Sequence, residues 1–237
     1  MEQTVRKILK KVLTVPTDRS PALRGITADI ARLSGAKFSM GTLDIHLIEK
    51  LDWCINCALH ERPATRQPNI LTWCWASTGQ PIKFDTNDFL EKKEWNRWAT
   101  ELSLDRRQIR VRTCFQIFQI TPVEGPSPCW GQGHWAQTNR CAKYGSRSND
   151  MSSCTTSLMY KGYIVFDTLQ DALHQERGDI MCILWKERTG LSGDTHHTTA
   201  IIIVPVEEGE STYRRRGWMD IAGDGIFQDE PGDIILV

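Results

Sequence analysis

The chain has 237 residues, 40% of them hydrophobic, and its 29 basic residues balance 29 acidic ones. This length can bury a substantial core and predicts a single domain over residues 1–237, with a helical part (1–66) and a mainly β part (67–237). The zero net charge provides no overall field for nucleic acid, so nucleic acid is excluded as a partner. No apolar run approaches the roughly 20 residues that span a bilayer. We therefore expect a cytoplasmic protein without a transmembrane segment.

The first hundred residues predict helices. In residues 1–15 the apolar side chains share one helical face, which is typical of an amphipathic helix and not of a signal peptide. This helix is expected to pack on its own domain, with contact to a membrane surface as the alternative. Residues 20–35 predict a second helix that begins at the N-cap Ser20, ends at Gly35 and turns Leu33 inward. Further helices are predicted over residues 42–59 and 87–102.

Between these last two helices lies "ILTWCWASTGQPIKF", residues 70–84. Side chains alternate between the faces of a strand, so a strand here would place Leu71, Trp73 and Trp75 on the same side. Large rings provide much of the burial energy of a core. We predict a strand with both indoles inside the protein, one of them at the edge of a pocket.

Strands are predicted for most of the remaining chain. Residues 108–120 begin with alternating apolar and basic side chains and change phase near Cys114, which indicates a bulge or two-sided burial. Further strands are predicted at "GYIVFDT", "DIMCILWKE", "TTAIIIVPV", "TYRRRGWMDI" and "DIILV". The whole pattern predicts an α+β fold, in which N-terminal helices pack on a strongly bent antiparallel β-sheet or barrel.

Residues 122–156 are rich in Gly, Pro, Ser and Cys and are predicted to form one long loop. Loops of this length are usually functional lids or disordered insertions, and both interpretations stay open. The segment contains Trp130, His134 and Trp135, and large rings are costly to leave in water. In the lid interpretation these three side chains face a pocket.

Eight cysteines without an export signal predict reduced thiols and no disulfide framework. Cys54, Cys57 and His60 have the spacing of metal ligands, but they lie in a pattern that predicts a buried helical face. A second set is too loosely spaced for a familiar zinc module: Cys129, His134, Cys141 and Cys154. The sequence also lacks the G-x-S-x-G, Walker, G-x-G-x-x-G and H-E-x-x-H motifs. We expect neither a metal nor a cofactor.

Four spaced pieces resemble the C-terminal half of fungal heterokaryon-incompatibility (HET) proteins. They are "KKVLTVPTDRSPALRGIT", "LTWCWASTGQPI", "STYRRRGWMDI" and "DIILV", in the family's order. The signature half of that family, with motifs like "LSYcWG" and "IDALCINQ", has no counterpart in this sequence. The resemblance therefore implies a stand-alone trailing half, without the region that is compared with NAD-cleaving domains. Cys74 and Arg216 depart from the family's motifs.

Two functions are compatible with this sequence. In the first, the module encloses a small hydrophobic metabolite and promotes a cofactor-free isomerisation or cyclisation, such as a Diels-Alder-type closure in fungal secondary metabolism. Positioning and a few polar donors are sufficient for such chemistry. The alternative is a non-catalytic module for nonself recognition or regulation. The sequence favours the first interpretation.

The catalytic candidates are three hydrogen-bond donors. His134 or Lys186 would donate to a substrate carbonyl, and Arg215 would suit a substrate carboxylate. Arg215 shares a strand face with Tyr213, so both can point inward. The aromatic residues predicted to bind the substrate are Trp75, Trp130, Trp135, Trp185 and Tyr213.

Overall fold

A computed structural model describes the parts of the chain that form its strands and their connections. The described residues are 28–29, 32–33, 35, 38–39, 42–43, 51–55, 66, 70–78, 82–84, 91–95, 108–122, 131–141, 155–168, 171, 178–190, 196–207, 210–223, 226–227 and 230–237. The strands are β1 (Phe38–Ser39), β2 (Thr42–Leu43), β3 (Trp53–Ile55), β4 (Ile82–Phe84), β5 (Glu91–Trp95), β6 (Ile109–Thr113), β7 (Phe115–Pro122), β8 (Gly131–Cys141), β9 (Thr155–Phe166), β10 (Gly178–Gly190), β11 (His196–Pro205), β12 (Thr212–Ala222) and β13 (Gly232–Leu236).

Six of these strands pair in a closed cycle, which we call the ring. Its order is β7, β8, β9, β12, β11 and β10, with β10 pairing back to β7, and every pairing in it is antiparallel. Outside the ring, β13 pairs parallel with β12 and antiparallel with β6, while β5 pairs with β10. The nine strands therefore form one mixed sheet, and β1–β2 and β3–β4 are separate two-stranded pairs.

Buried side chains form two clusters because the central strands are covered on both faces. The first cluster, the ring core, alternates along β10 and β11 through Cys182, Leu184, Ala200 and Ile202. The second cluster, the outer core, uses the opposite positions of the same strands. It also takes in residues from β3, β4, β6 and β13, and its buried members are Leu51, Trp53, Trp73, Cys74, Trp75, Ile82, Ile109, Val111, Ile183, Trp185, Ile201, Ile203, Ile234 and Leu236.

Two bulges set which side chains reach the outer core. On β10 the pairing with β11 skips Trp185, and on β12 the pairing with β11 skips Arg216. An extra residue in one strand shifts the alternation, so Trp185 and Lys186 are both fully buried. Beside the second bulge, a Cβ on Gly217 would lie 2.6 Å from the backbone oxygen of Val165, so only glycine fits there.

The predicted α+β fold is wrong for the described part of the chain, which is mostly strand and shows no helices packed on the sheet. Residues 28–29 and 32–33 have helical backbone, but they are exposed, and Leu33, predicted to face inward, is 78% exposed. The predicted helix over 42–59 contains β2 and β3, and the one over 87–102 contains β5. Residues 1–27, including the predicted amphipathic helix, lie outside the described residues.

Two further predictions need correction, while others are confirmed. Residues 131–141 and 155–156 belong to β8 and β9, so the segment 122–156 is not one continuous loop. Trp73 and Trp75 are buried as predicted, but they lie in a turn that continues into a 3-10 helix (Trp75–Ser77), not in a strand. The strands predicted after residue 107 are confirmed, with the break at Cys114 between β6 and β7.

Candidate functional site

Lys186, on β10, lies in the outer core with no exposed surface and forms an ion pair with Asp52. The other carboxylate oxygen of Asp52 accepts a hydrogen bond of 3.0 Å from the indole Nε1 of Trp218, on β12. A buried charge is tolerated when an opposite charge and hydrogen bonds compensate its lost hydration. The two carboxylate oxygens of Asp52 are therefore held by two ring strands, β10 and β12, which lie on either side of β11.

Arg215, on β12, is also fully buried and uses its whole guanidinium group. Its Nε donates to Asp167 Oδ2 at 3.0 Å, its Nη1 donates to the carbonyl of Leu51 at 2.6 Å, and its Nη2 donates to the carbonyl of Trp53. The guanidinium carbon lies 3.6 Å from the centroid of the Trp53 ring, in a cation–π contact. Arginine suits this position because its planar fork of donors matches several acceptors at once.

Lys186 and Arg215 thus hold the same short segment, Leu51 to Cys54, against the outside of the ring. Lys186 binds the side chain of Asp52, and Arg215 binds the carbonyls on either side of it. All four residues of the segment are buried. The two charged residues therefore act as donors within the protein.

The same region joins three of the four pieces on which the HET resemblance depends. Thr72 Oγ1 accepts a hydrogen bond of 3.0 Å from the backbone N–H of Arg215 and donates to the carbonyl of Val237. Arg66 donates to the carbonyls of Thr72 and Arg215 and to Ser77 Oγ. The turn that contains Trp73 and Trp75, the "YRRRG" part of β12 and the C-terminal Val237 therefore meet at Thr72.

Three half-buried charged residues form ion pairs beside Thr72: Arg66, Asp171 and Arg216. Asp171 accepts from Arg66 Nη2 at 3.1 Å and from Arg216 Nε at 3.2 Å, and Arg66 also lies 3.5 Å from Asp167. Burial raises the pKa of the Asp167 carboxyl, because the loss of hydration outweighs the attraction of the Arg215 and Arg66 guanidiniums.

A separate ion pair lies nearer the ends of β10 and β12. Arg188 Nη2 is 2.6 Å from Asp220 Oδ1, and His197 Nδ1 is 3.5 Å from Asp220 Oδ2. The Nδ1 of His197 makes no hydrogen bond within the described part of the chain. This group therefore brings together side chains of three successive ring strands, β10, β11 and β12.

The aromatic residues predicted to bind a substrate are partly brought together. Trp75 and Trp185 are buried in the outer core, and Tyr213 packs against it. The indole nitrogens of Trp73 and Trp185 are buried and have no hydrogen-bond partner among the described residues. Trp130 lies outside the described residues, and no side-chain geometry is described for His134 or Trp135 on β8.

The sequence did not identify the acidic partners of these donors. Asp52 is 134 residues from Lys186, and Asp167 is 48 residues from Arg215. One signal was present for Asp52, because a carboxylate between Leu51 and Trp53 interrupts an apolar stretch. A charge at such a position needs a buried partner, although its identity is fixed only by the fold.

No three potential metal ligands lie together among the residues that the structure describes. Four members of the candidate metal sets fall outside them: Cys57, His60, Cys129 and Cys154. Within the described ranges, no helix has the length and apolar character needed to cross a membrane. No family model, curated protein or solved structure matches this chain.

Proposed function

We propose that this chain is a non-catalytic binding module, related to the trailing half of HET proteins and used for recognition or regulation. The observation that supports this proposal is the internal use of the predicted donors. Lys186 and Arg215 are both without exposed surface and hold the segment Leu51 to Cys54. A donor already bound to a carboxylate or carbonyl must break that contact before it can bind a substrate.

The convergence of three motif pieces at Thr72 supports the same function. Thr72, Arg215 and Val237 are linked by hydrogen bonds although they come from distant parts of the sequence. Residues that bind each other in a core stabilise a scaffold, and a rigid scaffold leaves its surface available for contact with a partner. The hydrogen bonds among these motif residues stabilise the fold, and no catalytic role is needed to explain them.

The cyclase interpretation stays a second candidate because of one specific observation. The indole N–H groups of Trp73 and Trp185 are buried, lack a partner among the described residues and belong to the same apolar cluster. Buried N–H donors usually have an acceptor. A carbonyl on an enclosed apolar metabolite would provide one.

A thermal-shift screen with product analysis separates the two candidates. The compounds are polyenes and terpenoids that contain a carbonyl, and the variant is Trp185→Phe, which keeps a ring and removes the N–H. A non-catalytic module gives no product beyond the spontaneous reaction, whether or not a compound binds. A ligand at 100 times its dissociation constant would stabilise by about 2.7 kcal/mol. Such a shift together with product above the spontaneous rate, both reduced in Trp185→Phe, would contradict the proposal.

A further inference from the structure

The face of β6, β13 and β12 that points away from the outer core carries exposed arginines. On β6 the burial alternates, with Ile109 and Val111 in the outer core and Arg110 and Arg112 exposed. The register places Arg110 beside Ile235 and Arg112 beside Asp233 on β13. In the adjacent parallel strand, Thr212 lies beside Ile235, and the next residue on that face is the exposed Arg214. We call Arg110, Arg112 and Arg214 the outer arginines.

The outer arginines differ from the other arginines with described side chains. Those five all form ion pairs with carboxylates: Arg32, Arg66, Arg188, Arg215 and Arg216. The outer arginines form no ion pair within the described part of the chain, even though Asp233 is the register partner of Arg112. Three guanidiniums on this face are thus available to an acidic partner.

The backbone of β6 provides a second feature. Within the described residues β6 pairs only with β13, so its other side is a sheet edge. Unpaired N–H and C=O groups at an edge are a template for an added strand. Arg110 and Arg112 are two residues apart on the same face, a spacing of about 6.6 Å along a strand. An added strand with acidic residues at alternate positions would have the same spacing.

We propose that the β6 edge binds an extended acidic segment of a partner protein, which adds to the sheet as a strand. Its carboxylates face Arg110 and Arg112, whose planar donor groups suit bidentate binding of carboxylates. This inference rests on the proposed binding function and names the class of partner. A protein segment is favoured over nucleic acid because the chain has no net positive charge, whereas nucleic-acid affinity depends mainly on such charge.

Fluorescence anisotropy with a labelled peptide tests the proposal. The probe is an eight-residue peptide of alternating Glu and Val with blocked ends, and the comparison peptide has Lys in place of Glu. The expected result is saturable binding of the acidic peptide only, weakened by added salt. Cross-strand charge pairs are modest, so Arg110→Glu and Arg112→Glu should each reduce the affinity by roughly three- to tenfold. Arg32→Glu, an exposed arginine elsewhere, is the matched control and should leave the affinity unchanged.

Backbone methylation of the peptide tests the strand pairing itself. Alternate N–H groups of a strand point to opposite sides, so methylation of one alternate set should abolish binding while methylation of the other set is tolerated. Equal effects of the two sets would overturn strand addition. Absence of binding at millimolar peptide, or binding that both Arg→Glu variants leave unchanged, would overturn the site. Tighter binding of a poly-dT oligonucleotide that these variants abolish would replace the protein partner with nucleic acid.

The two proposals fail in different ways. A negative peptide result, with no ligand found in the thermal-shift screen, removes the acidic segment and keeps the non-catalytic module. Turnover of a metabolite above its spontaneous rate, dependent on Trp185, removes the proposed function, whatever the peptide does.

Discussion

Arg215→Met removes the buried guanidinium and keeps a side chain of similar length. Asp167 then loses its principal partner, and the carbonyls of Leu51 and Trp53 lose their donors. Breaking a buried ion pair by removal of one partner costs about 3 to 5 kcal/mol. The unsatisfied carbonyls raise that cost by less than their separate values, because the contacts share one group, so we expect a loss of about 5 kcal/mol. This is a large part of the ~5 to 15 kcal/mol stability of a typical domain.

Urea unfolding followed by tryptophan fluorescence measures this loss. Arg214→Met, at the adjacent exposed position, is the matched control and should change the free energy of unfolding by less than ~0.5 kcal/mol. Adding Asp167→Leu to Arg215→Met should recover stability, because the carboxylate that lost its partner is then also removed. A cost below ~1 kcal/mol for Arg215→Met, the value of an exposed ion pair, would refute the account of this site.

Three further predictions concern pH, packing and thiol reactivity. Folding raises the pKa of the Asp167 carboxyl above its usual value, so the folded protein binds more protons at this group than the unfolded chain does. The contribution of Asp167 to the free energy of unfolding should therefore fall as the pH rises through the raised pKa. The difference in unfolding free energy between the natural protein and Asp167→Asn, measured across pH, checks this slope. Gly217→Ala should cost about 1 to 3 kcal/mol or more in the urea assay, because its Cβ meets the backbone oxygen of Val165. Burial raises the pKa of the Cys182 thiol well above its usual value, so iodoacetamide should label Cys182 only after unfolding, as mass spectrometry would show.

Apart from β8, which lies in the predicted loop, the strands after residue 107 were predictable because their signal is local. In β6 the alternation of apolar and basic residues matches the alternation of burial. The strand β5 was missed because "EKKEW" has a helical composition, and its state depends on backbone pairing with β10, more than 90 residues away. Similarly, Leu51 and Cys54 fit a helical spacing, but only Leu51 has helical backbone, because contacts of Trp53 with Trp73 and Arg215 accompany extended backbone at β3.

The sequence drew attention to Lys186 and Arg215 as candidate donors to a substrate, but it named none of the acceptors that they bind in the structure. Lys186 and Arg215 attract attention because they are charges on apolar strand faces. The bulge at Trp185 that places Lys186 in the outer core has no marker such as glycine in the sequence. The partners Asp52 and Asp167 are defined by long-range packing alone, so a donor that suits a substrate and a donor that holds a core have the same local pattern.

The most direct test of the central claim is the rate at which the Nε–H of Arg215 exchanges with solvent, measured by ¹H–¹⁵N NMR. The claim is that this guanidinium is an internal donor and is not presented to a substrate. Exchange should then require opening of the outer core and be at least ~10³-fold slower than for Arg214, which is exposed on the same strand. Similar exchange rates for Arg215 and Arg214 would contradict the claim.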